Sequence, residues 1–220
     1  MGDRVAKDAL FDAFAEVAKA LSNGRRAELI DVLAQGERHV DELAVEIRQS
    51  MANTSFHLRV LATAGLVTTR RDGTRVYYRL ASESVGELWA ATREVAAAHH
   101  DRLDELIRDY LGDRSKLDEI DREELVARLA GGDVVVIDVR PEAEYAAGHI
   151  AGARSIPIER LAASIKALPG ELEVMAYCRG PYCVFADDAV RLLRRRGRRA
   201  RRLEGGYPEW QRARLPVEVT

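Results

Sequence analysis

The sequence predicts two domains, a mainly helical domain in the N-terminal half and an α/β domain in the C-terminal half. In the first half, apolar residues recur with a helical period, and Asp72-Gly73 joins two β-rich runs as a hairpin. In the second half, short apolar runs alternate with amphipathic runs, which is typical of an α/β unit. We predict domains at residues 1–112 and 113–220.

The composition agrees with a globular protein that has two modest cores. The chain has 220 residues, of which 47% are hydrophobic and 32% charged, and its net charge is −2. No apolar run approaches the roughly 18 residues of a membrane helix, and the charged start at Met1–Arg4 does not resemble a signal peptide. We therefore expect a cytoplasmic protein without membrane contact, whose two cysteines serve thiol chemistry rather than a disulfide scaffold.

The first half contains a succession of helices followed by two strands. Gly65 is the expected C-terminal cap before the first strand. A linker over residues 112–115 follows the last helix. Helices are predicted over residues 5–21, 25–34, 40–47, 51–63 and, as one long helix, 84–111, and strands over residues 66–71 and 74–80.

Two short helices, a further helix and a hairpin in this order make a winged helix-turn-helix. The helix over residues 51–63 would enter the major groove of operator DNA, with Phe56, Leu58 and Leu61 facing the core. For His57, base readout and phosphate contact both remain open. The predicted DNA contacts are the early, exposed polar residues of this helix and the hairpin tip: Asn53, Thr54, Ser55, His57, Arg59, Arg71 and Arg75.

Four blocks of this half, Leu21–Arg26, Ser55–Leu61, Ala64–Val67 and Gly73–Tyr78, resemble the ArsR family of bacterial winged-helix repressors. The resemblance covers roughly residues 5–110. It implies a homodimer formed by the first and last helices and bound to a palindromic operator.

The resemblance does not extend to the metal site that many ArsR members carry. Those members sense metals through a cysteine pair on the helix before the recognition helix, and the corresponding stretch here, His39–Ile47, has no cysteine. His99-His100 reads as a solvated pair rather than half of an interfacial metal site. We expect no metal and no cofactor.

In the second half, strands and helices alternate. The run Val134–Ile137 is fully apolar, as in a buried parallel strand. Strands are predicted over residues 134–137, 172–176 and 202–203, and helices over residues 121–130, 161–168 and 184–196.

Both cysteines of the chain lie in the segment Tyr177–Cys183, with four residues between them. This segment joins a predicted strand to a predicted helix. Backbone N–H groups and the helix N-terminus favour an anion there, so a thiolate would be stabilised. Arg179 adds positive charge in the same loop.

Several blocks of this half look like a rhodanese domain: Val136–Arg140, Glu144-Tyr145, Gly148–Ala153, Ile156-Pro157, the cysteine loop and Glu204–Trp210. The resemblance gives a core over about residues 117–217. The resemblance implies a doubly wound parallel sheet. It also implies that Cys178 is the catalytic cysteine, which accepts a sulfane sulfur as a persulfide in a cradle of backbone N–H groups. The loop that forms this cradle consists of Arg179, Gly180, Pro181, Tyr182 and Cys183.

The role of Cys183 remains open between two alternatives. It could attack a Cys178 persulfide, forming a disulfide within the loop and releasing sulfide, or it could be a small buried apolar residue. Phosphate or arsenate chemistry is disfavoured, because Val184 stands where a phosphate clamp needs arginine.

Two further groups have structural and functional interpretations. Asp138, Arg140 and His149 are expected to brace the scaffold rather than react. The arginine run over residues 191–202 is expected to form the exposed face of a helix and its exit, with attraction of anionic sulfur donors or DNA contact as alternatives.

Together, these patterns favour a dimeric transcriptional repressor whose rhodanese-like domain senses reactive sulfur or oxidants through Cys178, with Cys183 as a resolving thiol. Its expected partners are operator DNA, a second copy of the chain, and persulfide, polysulfide, thiosulfate or an oxidant. One alternative is an active sulfurtransferase tethered to a DNA-binding module. Another is an inert rhodanese domain that serves as a docking unit.

Overall fold

The computed structural model describes residues 3–220, and its contacts divide the chain into two compact units between Val95 and Ala96. The domain boundary predicted at residues 112 and 113 lies further along the chain and stays a prediction. Among the described residues, no helix is both long and apolar enough to cross a bilayer.

The first unit combines helices with a small antiparallel sheet, and its helices begin at capping residues. Asn23 Oδ1 accepts hydrogen bonds from the N–H groups of Arg25 and Arg26, at 3.0 and 3.3 Å. His39 and Glu42 form a capping box. In chain order the elements are α1 (Arg4–Leu21), α2 (Gly24–Leu33), β1 (Arg38–His39), α3 (Val40–Glu46), α4 (Met51–Thr63), β2 (Val67–Asp72), β3 (Arg75–Leu80) and α5 (Glu83–His99), which continues past the division between the units.

The hairpin predicted from Asp72-Gly73 is confirmed. Strands β2 and β3 pair antiparallel, and Asp72 lies opposite Arg75, which leaves Gly73 and Thr74 as the turn. Gly73 has a φ of +57°, a conformation that glycine adopts without steric cost. Strand β1 joins the other side of β3.

The core of this unit fixes the orientation of α4. Leu58 and Leu61 of α4 are fully buried and belong to one cluster with Leu29, Ile30 and Leu43 from the two preceding helices. One face of α4 is thereby held against the unit while the opposite face meets solvent.

The prediction of one long helix over residues 84–111 is wrong, because the chain turns at residues 100–102. Helix α5 ends at His99, and a separate helix α6 (Leu103–Leu111) follows. Apolar residues keep their helical period across the turn, so the pattern does not mark it. Asp104 and Glu105 lie in the first turn of α6, where carboxylates stabilise a helix N-terminus.

The second unit contains most of the strands. After α6 its elements are β4 (Glu119–Ile120), α7 (Arg122–Gly131), β5 (Val134–Asp138), α8 (Glu142–Ala147), β6 (His149–Ile150), β7 (Arg154–Ser155), α9 (Ile158–Ser164), β8 (Glu173–Tyr177), α10 (Val184–Arg195), β9 (Ala200–Leu203), α11 (Tyr207–Arg212) and β10 (Val217–Glu218).

Five of these strands form a parallel sheet in the order β4-β9-β8-β5-β7. Alternate residues of β5 point to opposite faces, as the pleat requires. Val135 and Ile137 pack in a cluster with residues of α9 and α10, whereas Val134 and Val136 pack in a cluster with Trp210 of α11. Helices cover both faces, so the predicted doubly wound α/β fold is confirmed.

Candidate functional site

The outer face of α4 carries most of the residues predicted to contact DNA. Ser50 caps the helix, and its Oγ accepts a hydrogen bond from the N–H of Asn53 at 3.2 Å. Asn53 and Arg59 are exposed, and Ser55 is half-buried. This arrangement leaves short polar side chains and one cation available at the surface of α4.

Two expectations for α4 are wrong. Thr54 is buried, and its Oγ1 donates a hydrogen bond to the carbonyl of Ser50 at 3.0 Å. It shares the inward face with Leu58 and Leu61, at helical spacing, so it cannot contact DNA from this position. Phe56 was expected in the core but is 54% exposed, because it lies on the opposite face.

His57 is half-buried beside Phe56, with ring centroids 5.6 Å apart. Burial, followed by the charges of Arg26 and Arg25, lowers the pKa of His57. Within residues 3–220, no group makes a hydrogen bond with its buried Nδ1. The lowered pKa disfavours the charged imidazolium, which weakens the phosphate-contact interpretation of His57.

The hairpin places two exposed arginines beside its turn, Arg71 on β2 and Arg75 on β3. Arg70, their neighbour, is engaged within the protein. It donates to Glu37 at 2.7 Å and to Asp72 at 3.4 Å, and the hydrogen bond to Glu37 raises its pKa. Arg71 and Arg75 lie next to the turn, and a side-chain hydrogen bond with Tyr77 raises the pKa of Arg75.

The cysteine loop, residues 178–183, follows the central strand of the parallel sheet. Strand β8 lies between β5 and β9, and Cys183 is the N-cap of α10. Cys178 is only 1% exposed, whereas Cys183 is half-buried. The two cysteines form a disulfide, with Cα atoms 6.5 Å apart. On reduction, Cys178 would lie beside the N-terminus of α10, where a thiolate is favoured.

A close approach between the loop and the segment after β9 shapes the turn. The N–H of Tyr207 donates to the carbonyl of Cys178 at 3.0 Å, and the N–H of Cys183 donates to the carbonyl of Gly180 at 3.2 Å. A β-carbon on Gly206 would collide with Cys178 and Gly180. Glycine at position 206 is thus required by the tight contact.

The other loop residues surround this turn, and Arg179 among them is paired with a carboxylate. Gly180 is buried, and Pro181 and Tyr182 are half-buried. Arg179 Nε donates to both carboxylate oxygens of the buried Glu144, at 3.0 Å each. Because this pair is close and largely buried, Glu144 balances the positive charge that the sequence led us to assign to the Cys178 thiolate.

Arg114, which the sequence placed in a linker, is bonded to the cysteine loop. It donates to the carbonyl of Pro181 at 2.7 Å, to the carbonyl of Cys183 at 3.3 Å and to Asp187 at 2.5 Å. Asp187, on α10, is fully buried. The contacts join residues at least 67 positions apart in sequence, so only a three-dimensional structure reveals them.

The arginine run over residues 191–202 was expected to be exposed and is exposed only in part. Arg194 donates to the carbonyl of Lys116 at 2.6 Å and to Asp118 at 2.7 Å. Arg202 is buried between Glu119 and Asp187. These side chains fold back because a guanidinium offers five donors to nearby carbonyls and carboxylates.

Other members of the run do the same, and three remain at the surface. Arg198 donates to the carbonyls of Ile165 and Leu168, at 3.4 and 3.3 Å. The exposed members are Arg195, Arg196 and Arg199.

Three polar residues, Asp138, Arg140 and His149, are engaged with neighbouring groups of the scaffold. Arg140 donates to Asp138 at 2.6 Å and to the carbonyl of Gly148 at 2.7 Å, and both side chains are fully buried. His149 stacks on Tyr145, with centroids 3.6 Å apart. Over residues 3–220, no group of three or more His, Cys, Asp or Glu side chains is placed to hold a metal ion.

Each of the two units matches a known protein family. Residues 23–69 match the bacterial regulatory protein, arsR family, and residues 121–213 match the rhodanese-like domain. The first match includes α4, and the second includes the cysteine loop.

Individual relatives cover either the whole chain or one unit. The HTH-type transcriptional regulator Rv0324 of Mycobacterium tuberculosis is 47% identical over 212 residues, which is 96% of this chain and 93% of the relative. A sulfurtransferase of Allochromatium vinosum is 33% identical over 102 residues, 46% of this chain and 94% of the relative. A homodimeric winged helix-turn-helix DNA-binding domain of Mycobacterium bovis is 45% identical, with a TM-score of 0.42, and covers 45% of this chain and 92% of that domain.

Proposed function

Because the chain belongs to the arsR-family HTH-type transcriptional regulators and carries a rhodanese-like domain, we propose that it is a dimeric repressor that responds to reactive sulfur or oxidants through Cys178. One observation carries this proposal. Both cysteines of the chain lie in one loop at the end of a central strand, close enough to form a disulfide.

The proposed DNA contacts are Asn53, Ser55 and Arg59 on α4, with Arg71 and Arg75 at the hairpin. All but the half-buried Ser55 are exposed. In a winged helix-turn-helix, such a helix reads base edges in the major groove while arginines bind phosphate. His57, whose pKa is lowered by burial and by Arg26 and Arg25, would contribute a hydrogen bond rather than charge.

A second copy of the chain is the proposed occupant of the apolar surface on α1 and α5. Phe11 and Phe14 of α1 are 58% and 61% exposed, and Val95 of α5 is 61% exposed. Large apolar residues left at the surface of two helices favour an association that buries them. A dimer would present two copies of α4 to a palindromic operator.

The proposed sensing chemistry begins with the reduced loop. The Cys178 thiolate attacks the outer sulfur of a sulfane donor, and the Cys178 persulfide forms while the rest of the donor leaves. The Cys183 thiol then attacks the Cys178 sulfur. The Cys178–Cys183 disulfide forms, and the outer sulfur leaves as hydrosulfide with the thiol proton.

An oxidant would reach the same disulfide by taking two electrons and two protons from the two thiols. Either signal would end in the same Cys178–Cys183 disulfide, and the proposal is supported by the proximity of the two cysteines, whose Cα atoms are 6.5 Å apart.

The experiment that tests this function is fluorescence anisotropy on DNA from the region upstream of the protein's own gene. Reduced and polysulfide-treated proteins are compared at one salt concentration, because phosphate contacts are salt-sensitive. We expect treatment to weaken binding about 5- to 150-fold, the usual range of coupling between sites, and a thiol reductant to restore it. Cys178→Ser should bind normally and no longer respond. An unchanged response in Cys178→Ser would exclude Cys178 as the sensor.

The likeness to a sulfurtransferase favours a second candidate, a working enzyme attached to a DNA-binding unit. Reduced protein should then transfer sulfur from thiosulfate to cyanide, and Cys178→Ser should not. Turnover without any effect on DNA binding would favour the enzyme. A Cys178 that reacts with neither thiosulfate nor polysulfide would favour a docking role.

A further inference from the structure

Three carbonyl groups of the cysteine loop are held from outside the loop. The carbonyl of Cys178 accepts from the N–H of Tyr207 at 3.0 Å. The carbonyls of Pro181 and Cys183 accept from Arg114, at 2.7 and 3.3 Å. One arginine therefore fixes two of the peptide groups on which the shape of the loop depends.

Fixing a carbonyl also fixes the direction of an N–H group. In a trans peptide the N–H points opposite to the C=O of the same unit, and the described residues contain no cis peptide. Arg114 draws the carbonyls of Pro181 and Cys183 towards itself, so the N–H groups of Tyr182 and Val184 point away from it. The N–H of Cys183 is already used, since it donates to Gly180.

We propose that Arg114 is the positioning residue of the cysteine loop, aiming the Tyr182 and Val184 amides at an anionic sulfur on Cys178. The inference rests on the proposed function, in which Cys178 carries the thiolate or persulfide. In this inference, the amides that Arg114 orients are the groups that stabilise the anion. The cation of Arg179 is paired with Glu144 and gives little direct help.

The surroundings of Arg114 suit this role. Its side chain is 19% exposed, and the carboxylate of Asp187, which is fully buried, anchors the guanidinium at 2.5 Å. The planar fork reaches Asp187 and two carbonyls at once, whereas a lysine ammonium is a single point of charge. Arg114 also follows α6, which ends at Leu111, so the loop is bonded to chain that leads directly from that helix.

The test compares Arg114→Lys with Arg191→Lys in reduced full-length protein. Lysine at 114 can keep the charge beside Asp187 but cannot keep all three hydrogen bonds. Arg191 is the matched control, because it also bonds this segment, donating to the carbonyl of Asp113 at 3.2 Å, without touching the loop carbonyls. Alkylation of Cys178 by iodoacetamide is followed against pH by mass spectrometry.

We expect the pH–rate profile of Arg114→Lys to move to higher pH and that of Arg191→Lys to match the wild type. Each unit of displacement lowers the thiolate fraction at neutral pH about tenfold. Identical profiles for all three proteins would overturn the role of Arg114. The proposed function would be judged separately, by the DNA response of Cys178→Ser.

A second measurement needs no substitution and covers the case in which Arg114→Lys does not fold. Amide hydrogen exchange is measured in reduced protein before and after polysulfide loads Cys178, using Cys183→Ser to stop the reaction at the persulfide. The amides of Tyr182 and Val184 should exchange more slowly once they bond to the persulfide. Unchanged exchange at both amides would overturn the inference.

Discussion

Several arginines of the two units lie in different surroundings. In the first unit Arg59, Arg71 and Arg75 are exposed. In the second unit Arg140 and Arg202 are buried against carboxylates. Clusters that look alike in sequence can therefore have different surroundings, and the carboxylates and carbonyls nearby decide whether an arginine is engaged within the protein.

Free energy explains the difference. A buried guanidinium is tolerated only when carboxylates or carbonyls satisfy its donors, and removing one member of such a pair leaves an uncompensated charge. An exposed arginine loses little when its neighbours change, but it can neutralise a phosphate. Substitutions can test whether the two groups are as distinct as the structure indicates.

The largest expected effect is on stability, from Arg140→Met. Asp138 would stay buried without its guanidinium partner, so the free energy of unfolding should fall by about 3–5 kcal/mol. Arg71→Met, in the first unit, should change it by less than about 0.5 kcal/mol. Urea unfolding followed by tryptophan fluorescence, to which the buried Trp210 contributes, measures both. Equal losses would remove the distinction between the two groups.

The next largest effect is on DNA binding by the double variant Arg71→Ala/Arg75→Ala. If each arginine neutralises one phosphate, the slope of log K against log salt should become shallower by about 2, with weaker binding at every salt concentration. Arg195→Ala, an exposed arginine of the second unit, is the control and should leave the slope unchanged. A comparable change in Arg195→Ala would mean that arginines of both units contact DNA.

The smallest effect is the pH dependence that His57 adds to the first unit. Burial and two arginines lower its pKa in the folded protein, so the unfolded chain binds the proton more readily. Stability should therefore fall as the pH drops below the ordinary histidine value of about 6.5. In thermal unfolding between pH 7 and pH 5, His57→Gln should lose less stability than the wild type. Equal losses would show that His57 does not contribute.

Local patterns predicted those parts of the fold that depend on neighbours in sequence. Asp72-Gly73 indicated a hairpin because glycine suits its turn, and the apolar run at Val134 indicated a buried strand because both sheet faces are covered. The break after His99 was missed because the apolar period continues through it.

The details of the sites depended on contacts that no local pattern contains. Thr54 has a polar side chain but satisfies it within its own helix, so polarity alone misplaced it at the surface. Arg114 lies in a segment that resembles a linker, and its partners are distant in sequence. The position of Cys178 was predictable because the strand, loop and helix that hold it are consecutive.

The central place of β8 in the sheet has a mechanical consequence. It is hydrogen-bonded to β5 and β9 along its length, so it forms a stiff backing behind Cys178. Any strain that sulfur chemistry introduces at Cys178 would therefore deform the loop and the first turn of α10 more than it deforms β8. Arg114 is hydrogen-bonded to the loop at Pro181 and Cys183. A displacement of the loop would therefore be transmitted to the chain after α6 rather than to the sheet.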